Sequence, residues 1–440
     1  MVSETSDHTI RVTRQPILSV NRVTWREVGL VAIVFALISA ASAIQQEARW
    51  RPVLEGDALE YFEMTRQFHA GETTVRATGP FVYRVGVPWL ASRASAEQID
   101  AYTPFYLINI CSAFAVALLL LVWLQRFVVS PGIRVLLVAA YVAAWHAPAR
   151  FVYFYPVYVD PPFLACMLTA LVLMDRRSDD ASIWRRVALL VTIVAGTLVR
   201  ESMAIVAVAA AAAPVWPRRG AWPAVAWRLA PIAAAAGALL VSHHVGILRD
   251  PYSPFTEPRA MLATKPLAMW LLGWLFAFGP PIIALIAAND RGSLAIVGGR
   301  PHVALFFLGC VAASFFGGTD TERIAAWAAP VVYAAAGVAI ERFRWSAGWV
   351  VIAILAVTQA ISARIFWPIP SVAYNVGPYV WTGKWQEAYE AFNRLVVIHT
   401  HYTYLWSSFG SRAWHTALLA FDLAFVALVV WWIRKRSPTV

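Results

Sequence analysis

Charge is what this sequence has least of. Only 14% of its 440 residues are Asp, Glu, Lys or Arg, against about 25% in soluble domains. Lysine is almost missing, with 3 beside 33 arginines, a bias that fits a GC-rich bacterial genome. The 3 cysteines, Cys111, Cys166 and Cys310, stand singly inside apolar runs. That arrangement offers neither a disulfide framework nor a thiolate zinc site. There is no GxxxxGK[ST], no GxGxxG after a strand and no GxSxG. Nucleotide hydrolysis, a dinucleotide cofactor and a serine hydrolase therefore have no support. No repeat, low-complexity linker or separate soluble domain interrupts residues 1–440, which read as a single integral membrane domain.

What fills the chain is apolar sequence. It is 60% hydrophobic with a mean hydropathy of +0.61. Lipid leaves the backbone two ways to satisfy itself, helices or a closed barrel. Unbroken runs such as "FYLINICSAFAVALLLLVWL" exclude the alternating pattern of a barrel. The expected fold is all-α: a polytopic membrane protein of about twelve transmembrane helices, with interfacial helices in its first long outer loop. The spans fall at 28–44, 105–124, 135–149, 161–174, 187–199, 202–216, 229–247, 267–287, 302–318, 324–340, 346–366 and 414–433.

Arginine position orients them. Arg11, Arg14, Arg22 and Arg26 precede the first span; Arg176, Arg177, Arg185 and Arg186 flank "DDASI"; Arg218, Arg219 and Arg228 fill another short loop. Arg342 and Arg344 fill a fourth, and Arg434, Lys435 and Arg436 close the chain. All fall on one side, which the positive-inside rule makes cytoplasmic. The net charge of +11 is thus explained by membrane orientation, without nucleic acid as a partner. Both termini are expected in the cytoplasm, with residues 1–27 as a tail before an uncleaved anchor. The inferred location is a bacterial cytoplasmic (inner) membrane, with the bilayer as the first partner. The pair of runs over 187–216 reads as a hairpin or as one long kinked helix. The hairpin agrees with the arginine clusters at both ends.

The outer side then receives two long segments, 45–104 and 367–413. Long loops are uncommon and often functional. In "VLEGDALEYFEMTRQFHAG", a helix beginning at Asp57 places Asp57, Tyr61, Met64 and Phe68 in one stripe. If that stripe faces the membrane or the protein, Asp57 heads the buried face. The same residues also read as an N-cap with Glu60 as capping-box partner. "GPFVYRVGVPWLA", too short to cross, adds Tyr83 and Arg84 to the outer surface. "APARFVYFYPVYVDPPF" adds Arg150 and Asp160, "TLVRESMAI" adds Arg200 and Glu201, and "GGTDTERIAAW" adds Asp320, Glu322 and Arg323. Each taken alone fits an ordinary ion pair at a helix end. Jointly, guanidinium forks suit a phosphate, and a carboxylate beside them suits a general base. The set describes a site for transfer from a phosphorylated lipid. His399 and His401 form an HxH pair without the further ligands a metal site needs, so no metal or cofactor is expected. Asp422, inside the last span, has no partner nearby in sequence.

The early "GD" in a long outer loop, "VYRVGVPWL", the later "VRES" and the "TDTERIAAWAAP" turn together resemble the GT-C superfamily of membrane glycosyltransferases. The resemblance spans most of the chain as an order of features. It implies a polyprenyl-phosphate sugar donor, an outward-facing active site, a glycan, lipid or protein acceptor, and a first-loop carboxylate. In this sequence that carboxylate is Asp57. It would take the proton of the acceptor hydroxyl as the anomeric carbon is attacked and inverted. Arg84, Arg200 and Arg323 are candidates to hold the departing phosphate on charge chemistry alone. Glu60, Tyr83, Arg150, Asp160, Glu201 and Asp320 complete the substrate-binding set. The sequence departs from many relatives in having a lone Asp after Gly where they carry paired acids. It also lacks the large soluble C-terminal domain of the oligosaccharyltransferase branch. Two other classes compete. One is an O-antigen ligase or polymerase-like enzyme using Arg394, His399, His401 and Arg412 of the late loop. The other is a transporter or flippase for a lipid-linked sugar.

Overall fold

The computed structural model describes residues 22–45, 57–95, 102–175, 182–216 and 221–253, most of 255–317, 321–343, 348–363, 365 and 412–436. The late loop 367–411, Asp320 and the histidines of the HxH pair lie outside the described residues. The chain is mostly helical. In order run α1 (Trp25–Gln45), α2 (Asp57–His69), β1 (Val75–Ala77), a 3-10 turn (Phe81–Tyr83), α3 (Gly86–Ala94) and α4 (Tyr102–Leu124). There follow α5 (Pro131–Ala143), α6 (Pro148–Phe154), α7 (Asp160–Met174), α8 (Ile183–Val199), α9 (Met203–Ala211), α10 (Ala221–Val245) and β2 (Gly246–Leu248). The last are α11 (Leu267–Phe278), α12 (Pro280–Ala288), α13 (Asp290–Gly298), α14 (Pro301–Phe316), α15 (Thr321–Ala325), α16 (Ala329–Phe343), α17 (Gly348–Ser362) and α18 (Arg412–Arg436).

Proline sets many of the starts. Pro131, Pro148, Pro161, Pro280 and Pro301 each stand in the first two positions of their helices. There the missing N–H costs nothing and the fixed φ favours the first turn. Six stretches among the described residues are long and apolar enough to cross a membrane, and eight if two sharply bent helix pairs each count as one. The expected twelve runs are present as helices, yet several are too short to cross alone. Helices α7 and α17 have 15 residues each, and α9 has 9. The run expected to cross straight at 267–287 is instead broken between α11 and α12 by 93°. Gly279, at φ +88°, makes the break. A side chain there would strike the amide of Gln359, which donates to the Phe278 carbonyl at 2.9 Å. The backbone carbonyl freed by the break thus gains a partner from α17.

Stretch Thr321–Phe343 is 83% buried and forms the centre, whereas Val225–Val245 is only 22% buried and lies outside. The outer helices turn large apolar side chains outward, among them Leu30, Ile33 and Leu37 of α1 and Leu229 and Leu240 of α10. A continuous apolar exterior of this kind needs lipid around it. Helices α8 and α9 form the hairpin. Arg186 at the start of α8 donates from Nε to the carbonyl of Val215, beyond the end of α9, at 3.2 Å. Arg200, Glu201 and Ser202 are therefore its tip.

Among the described residues, one departure from an all-α fold lies beside α2. Val75–Ala77 pairs in parallel with Gly246–Leu248, tying the first loop to the end of α10. Gly246 permits it, because a Cβ there would meet the Val82 carbonyl oxygen at 2.5 Å.

Candidate active site

Helix α2 presents the stripe expected of it. Tyr61, Met64 and Phe68 are buried, and Asp57 stands half-buried at its head. Asp57 is held from outside its own helix. Its Oδ1 accepts a 2.7 Å hydrogen bond from the Tyr155 hydroxyl, which in turn accepts the Ala58 N–H at 2.8 Å. Glu60 does not close back on the helix start as a capping-box partner. Its Oε2 accepts the Thr78 N–H at 2.9 Å and its Oε1 lies 3.5 Å from Arg249. Glu60 thus braces the strand pair and is spent on structure.

Arg84 follows the 3-10 turn and is buried. Its Nη1 donates to the Tyr61 hydroxyl at 2.9 Å, while Nε and Nη2 grip the two oxygens of Glu201 at 2.8 and 2.6 Å. Burial works against the Arg84 charge, but the Glu201 carboxylate outweighs it and raises the guanidinium above its ordinary value. Burial also pushes Glu201 up, and Arg84 outweighs that, pulling the carboxyl down to about 2. Tyr61, whose phenol is raised by burial, lies within electrostatic reach of Asp57, Arg84 and Arg200 together.

Arg200, at the end of α8, pairs through Nη1 with Asp160 at the start of α7. Its guanidinium lies over the Trp327 ring at 4.8 Å. Arg323 of α15 brings Nε within 3.4 Å of the second Asp160 oxygen. One buried carboxylate is therefore shared by two guanidiniums. Beside it is a cavity of about 10 Å³, at the lower limit for one water molecule. Its wall includes Asp160, Arg323, Trp327 and His146. Both ring nitrogens of His146, and Nε1 of Trp327, lack a hydrogen-bond partner among the described residues.

The structure thus brings Asp57, Arg84, Asp160, Arg200, Glu201 and Arg323 to one end of the bundle, from four separate parts of the chain. Two expected members make contacts elsewhere. Arg150 donates to the Ala143 and Ala363 carbonyls at 2.9 and 2.7 Å, stapling the ends of α5 and α17. Tyr83 stacks on His243 at the end of α10, with ring centroids 3.8 Å apart. Asp320 falls outside the described residues. Three participants were missed in the sequence. Tyr61 was seen only as part of an apolar stripe. Tyr155 was hidden in the aromatic run "RFVYFYPVY", and His146 is a lone histidine in an apolar stretch. No group of three or more metal-ligating side chains occurs among the described residues.

Comparison of the chain with protein-family models, with characterised proteins and with solved structures yields no match in any of the three.

Proposed function

We propose that the chain is a membrane glycosyltransferase that moves a sugar from a polyprenyl-phosphate donor to an acceptor hydroxyl at the outer face of a bacterial cytoplasmic membrane. The observation that carries this reading is the convergence of Asp57 with three arginines at one end of a lipid-facing bundle. Asp57 is the candidate base. It is half-buried, oriented by the Tyr155 hydroxyl, and accessible enough to meet a hydroxyl. In the proposed step Asp57 takes the acceptor proton and the acceptor oxygen bonds to the anomeric carbon. The bond from that carbon to the phosphate oxygen breaks, and polyprenyl phosphate leaves with the electron pair and one further negative charge. Arg200 and Arg323, on either side of the Asp160 carboxylate, supply the guanidinium donors for it. Arg84 acts on Tyr61 and Glu201 and positions the α2 face rather than meeting phosphate.

The test uses the purified full chain in proteoliposomes, a panel of polyprenyl-phosphate hexoses and pentoses, and envelope extract as acceptor. Release of polyprenyl phosphate by the wild type and its loss in Asp57→Asn is the expected result. Equal release by both proteins, or none from any donor, sinks the reading. The transporter alternative rests on one observation, the fully buried Asp422 of α18, whose oxygens lack a hydrogen-bond partner among the described residues. Movement of labelled donor across the bilayer without covalent change, abolished by Asp422→Asn, favours that class instead.

A further inference from the structure

The opposite end of the bundle carries a second concavity, remote from the Asp57 cluster. Its volume is about 310 Å³, the lower end of the range for small-ligand sites. The end of α9 with Pro214 and Trp216, the start of α10 with Arg228, and Arg300–His302 at the start of α14 form the wall. Asp175 sits in its floor, just beyond α7.

The charges in it do not cancel. Asp175 is matched several times over: Arg126 lies at 3.3 Å, Arg300 at 3.2 Å and His302 Nε2 at 3.2 Å. Arg228 lines the same space, is exposed, and makes no ion pair among the described residues. His302 is 1% exposed, and its Nδ1 has no hydrogen-bond partner among the described residues. A buried imidazole nitrogen left without a partner is costly unless a ligand or water meets it. The N-terminus of α14, with Pro301 in its first turn, adds its positive end to the same wall. Arg300 is held in place by its stack over Phe127 at 4.7 Å, so its guanidinium is pre-positioned.

We infer that this concavity binds a phosphate-bearing group, either the head of an anionic membrane lipid or a soluble phosphoester. A tetrahedral anion has oxygens enough for the guanidinium forks of Arg228 and Arg300 at once, where a planar carboxylate has two in all. The wall is built from the ends of apolar helices α9, α10 and α14. The site stands independently of the transferase reading.

The experiment compares the purified full chain with Arg228→Gln and Ala212→Phe. The first removes the unpaired charge; the second narrows the space from its rim without changing charge. Native mass spectrometry counts retained phosphatidylglycerol against phosphatidylcholine, and a thermal melt in detergent records stabilisation by inorganic phosphate. Wild-type retention of phosphatidylglycerol over phosphatidylcholine, weakened about fivefold in Arg228→Gln and lost in Ala212→Phe, supports a lipid headgroup. Stabilisation by inorganic phosphate alone, lost in both variants, supports a soluble phosphoester. Binding of neither probe, or equal binding by wild type and Arg228→Gln, overturns the inference. Arg228 is exposed, so its variant folds; melts without added probe verify this for both.

Discussion

Arg84 holds Glu201 across 117 residues of sequence with two parallel hydrogen bonds, 2.8 and 2.6 Å long. This fork locks the loop after α1 onto the tip of the α8–α9 hairpin, and so fixes where α2 and Asp57 sit. Lysine keeps the charge but cannot form the fork. Arg84→Lys is therefore expected to cost about 1.5–3 kcal/mol, read as a lower melting temperature of the purified chain in detergent. A melt unchanged from wild type would show that the pair does not hold the loop.

The same pair gives a pH dependence of defined sign. The folded-state pKa of Glu201 is drawn down to about 2 from its ordinary value of 4.5. Its contribution is therefore complete above the unfolded value and is lost as pH falls toward 2. Glu201→Gln, which cannot ionise, lacks that contribution at every pH. The melting-temperature gap between wild type and Glu201→Gln should be widest at pH 5 and above, and should close between pH 4.5 and 2. A gap constant over that range contradicts the pairing.

How far the sequence discloses this arrangement depends on which physical signal is local. Hydropathy finds each apolar run, because composition is local. It does not find where a run breaks, and "FGPPI" around Gly279 is apolar throughout. The Gly-Pro-Pro order was a readable sign, since glycine supplies the positive φ and proline starts a new helix. Charges beside apolar runs were also legible, which is why Arg84, Asp160, Arg200, Glu201 and Arg323 were all expected in the site. Their partners were not, because pairing is decided by packing. Asp160 is ten residues from Arg150 but pairs with Arg200, forty away. Arg150 meets the Ala143 and Ala363 carbonyls, since the first turn of α6 lies at neighbouring helix termini that need donors.

Asp57 and Tyr155 should differ in their effect on transfer. If Asp57 removes the acceptor proton, Asp57→Asn lowers turnover by about 10²–10⁴-fold with little change in donor binding. Tyr155→Phe leaves the carboxylate in place but releases its orientation, and a loss of roughly tenfold is expected, an order below general-base removal. Rates measured with saturating donor, together with donor affinity, separate the two. Equal losses in both variants would mean that the pair serves the fold alone.

At the other end, Arg134 and Glu27 join α5 to α1 through a 2.7 Å ion pair with side chains 0% and 3% exposed. Both are well supplied. Thr24 donates to Glu27 through its N–H and hydroxyl, and Arg134 donates to the Val128 and Val129 carbonyls. Removing one member strands a buried charge, so Glu27→Leu should cost about 3–5 kcal/mol. Replacing both, as Glu27→Leu with Arg134→Met, removes the desolvation penalty along with the attraction and should recover most of that loss. Melting temperatures of the two single variants and the double variant complete the cycle. A double variant as unstable as the sum of the singles would show no coupling.

The whole functional reading requires the Asp57 end to lie outside the cell and the arginine-rich end inside. Glu72, just past α2, is exposed at the first end, and Arg291, at the start of α13, is exposed at the second. In a background with Cys111, Cys166 and Cys310 replaced by alanine, Glu72→Cys should react with a membrane-impermeant maleimide in intact spheroplasts. Arg291→Cys should react only after lysis. Positive charge near helix ends resists translocation, and the second end holds Arg126, Arg134, Arg186, Arg228, Arg300, Arg342 and Arg434 beside the ends of its helices. Labelling of position 72 only after lysis would place Asp57 in the cytoplasm, where a transferase facing the outer leaflet has no acceptor to reach.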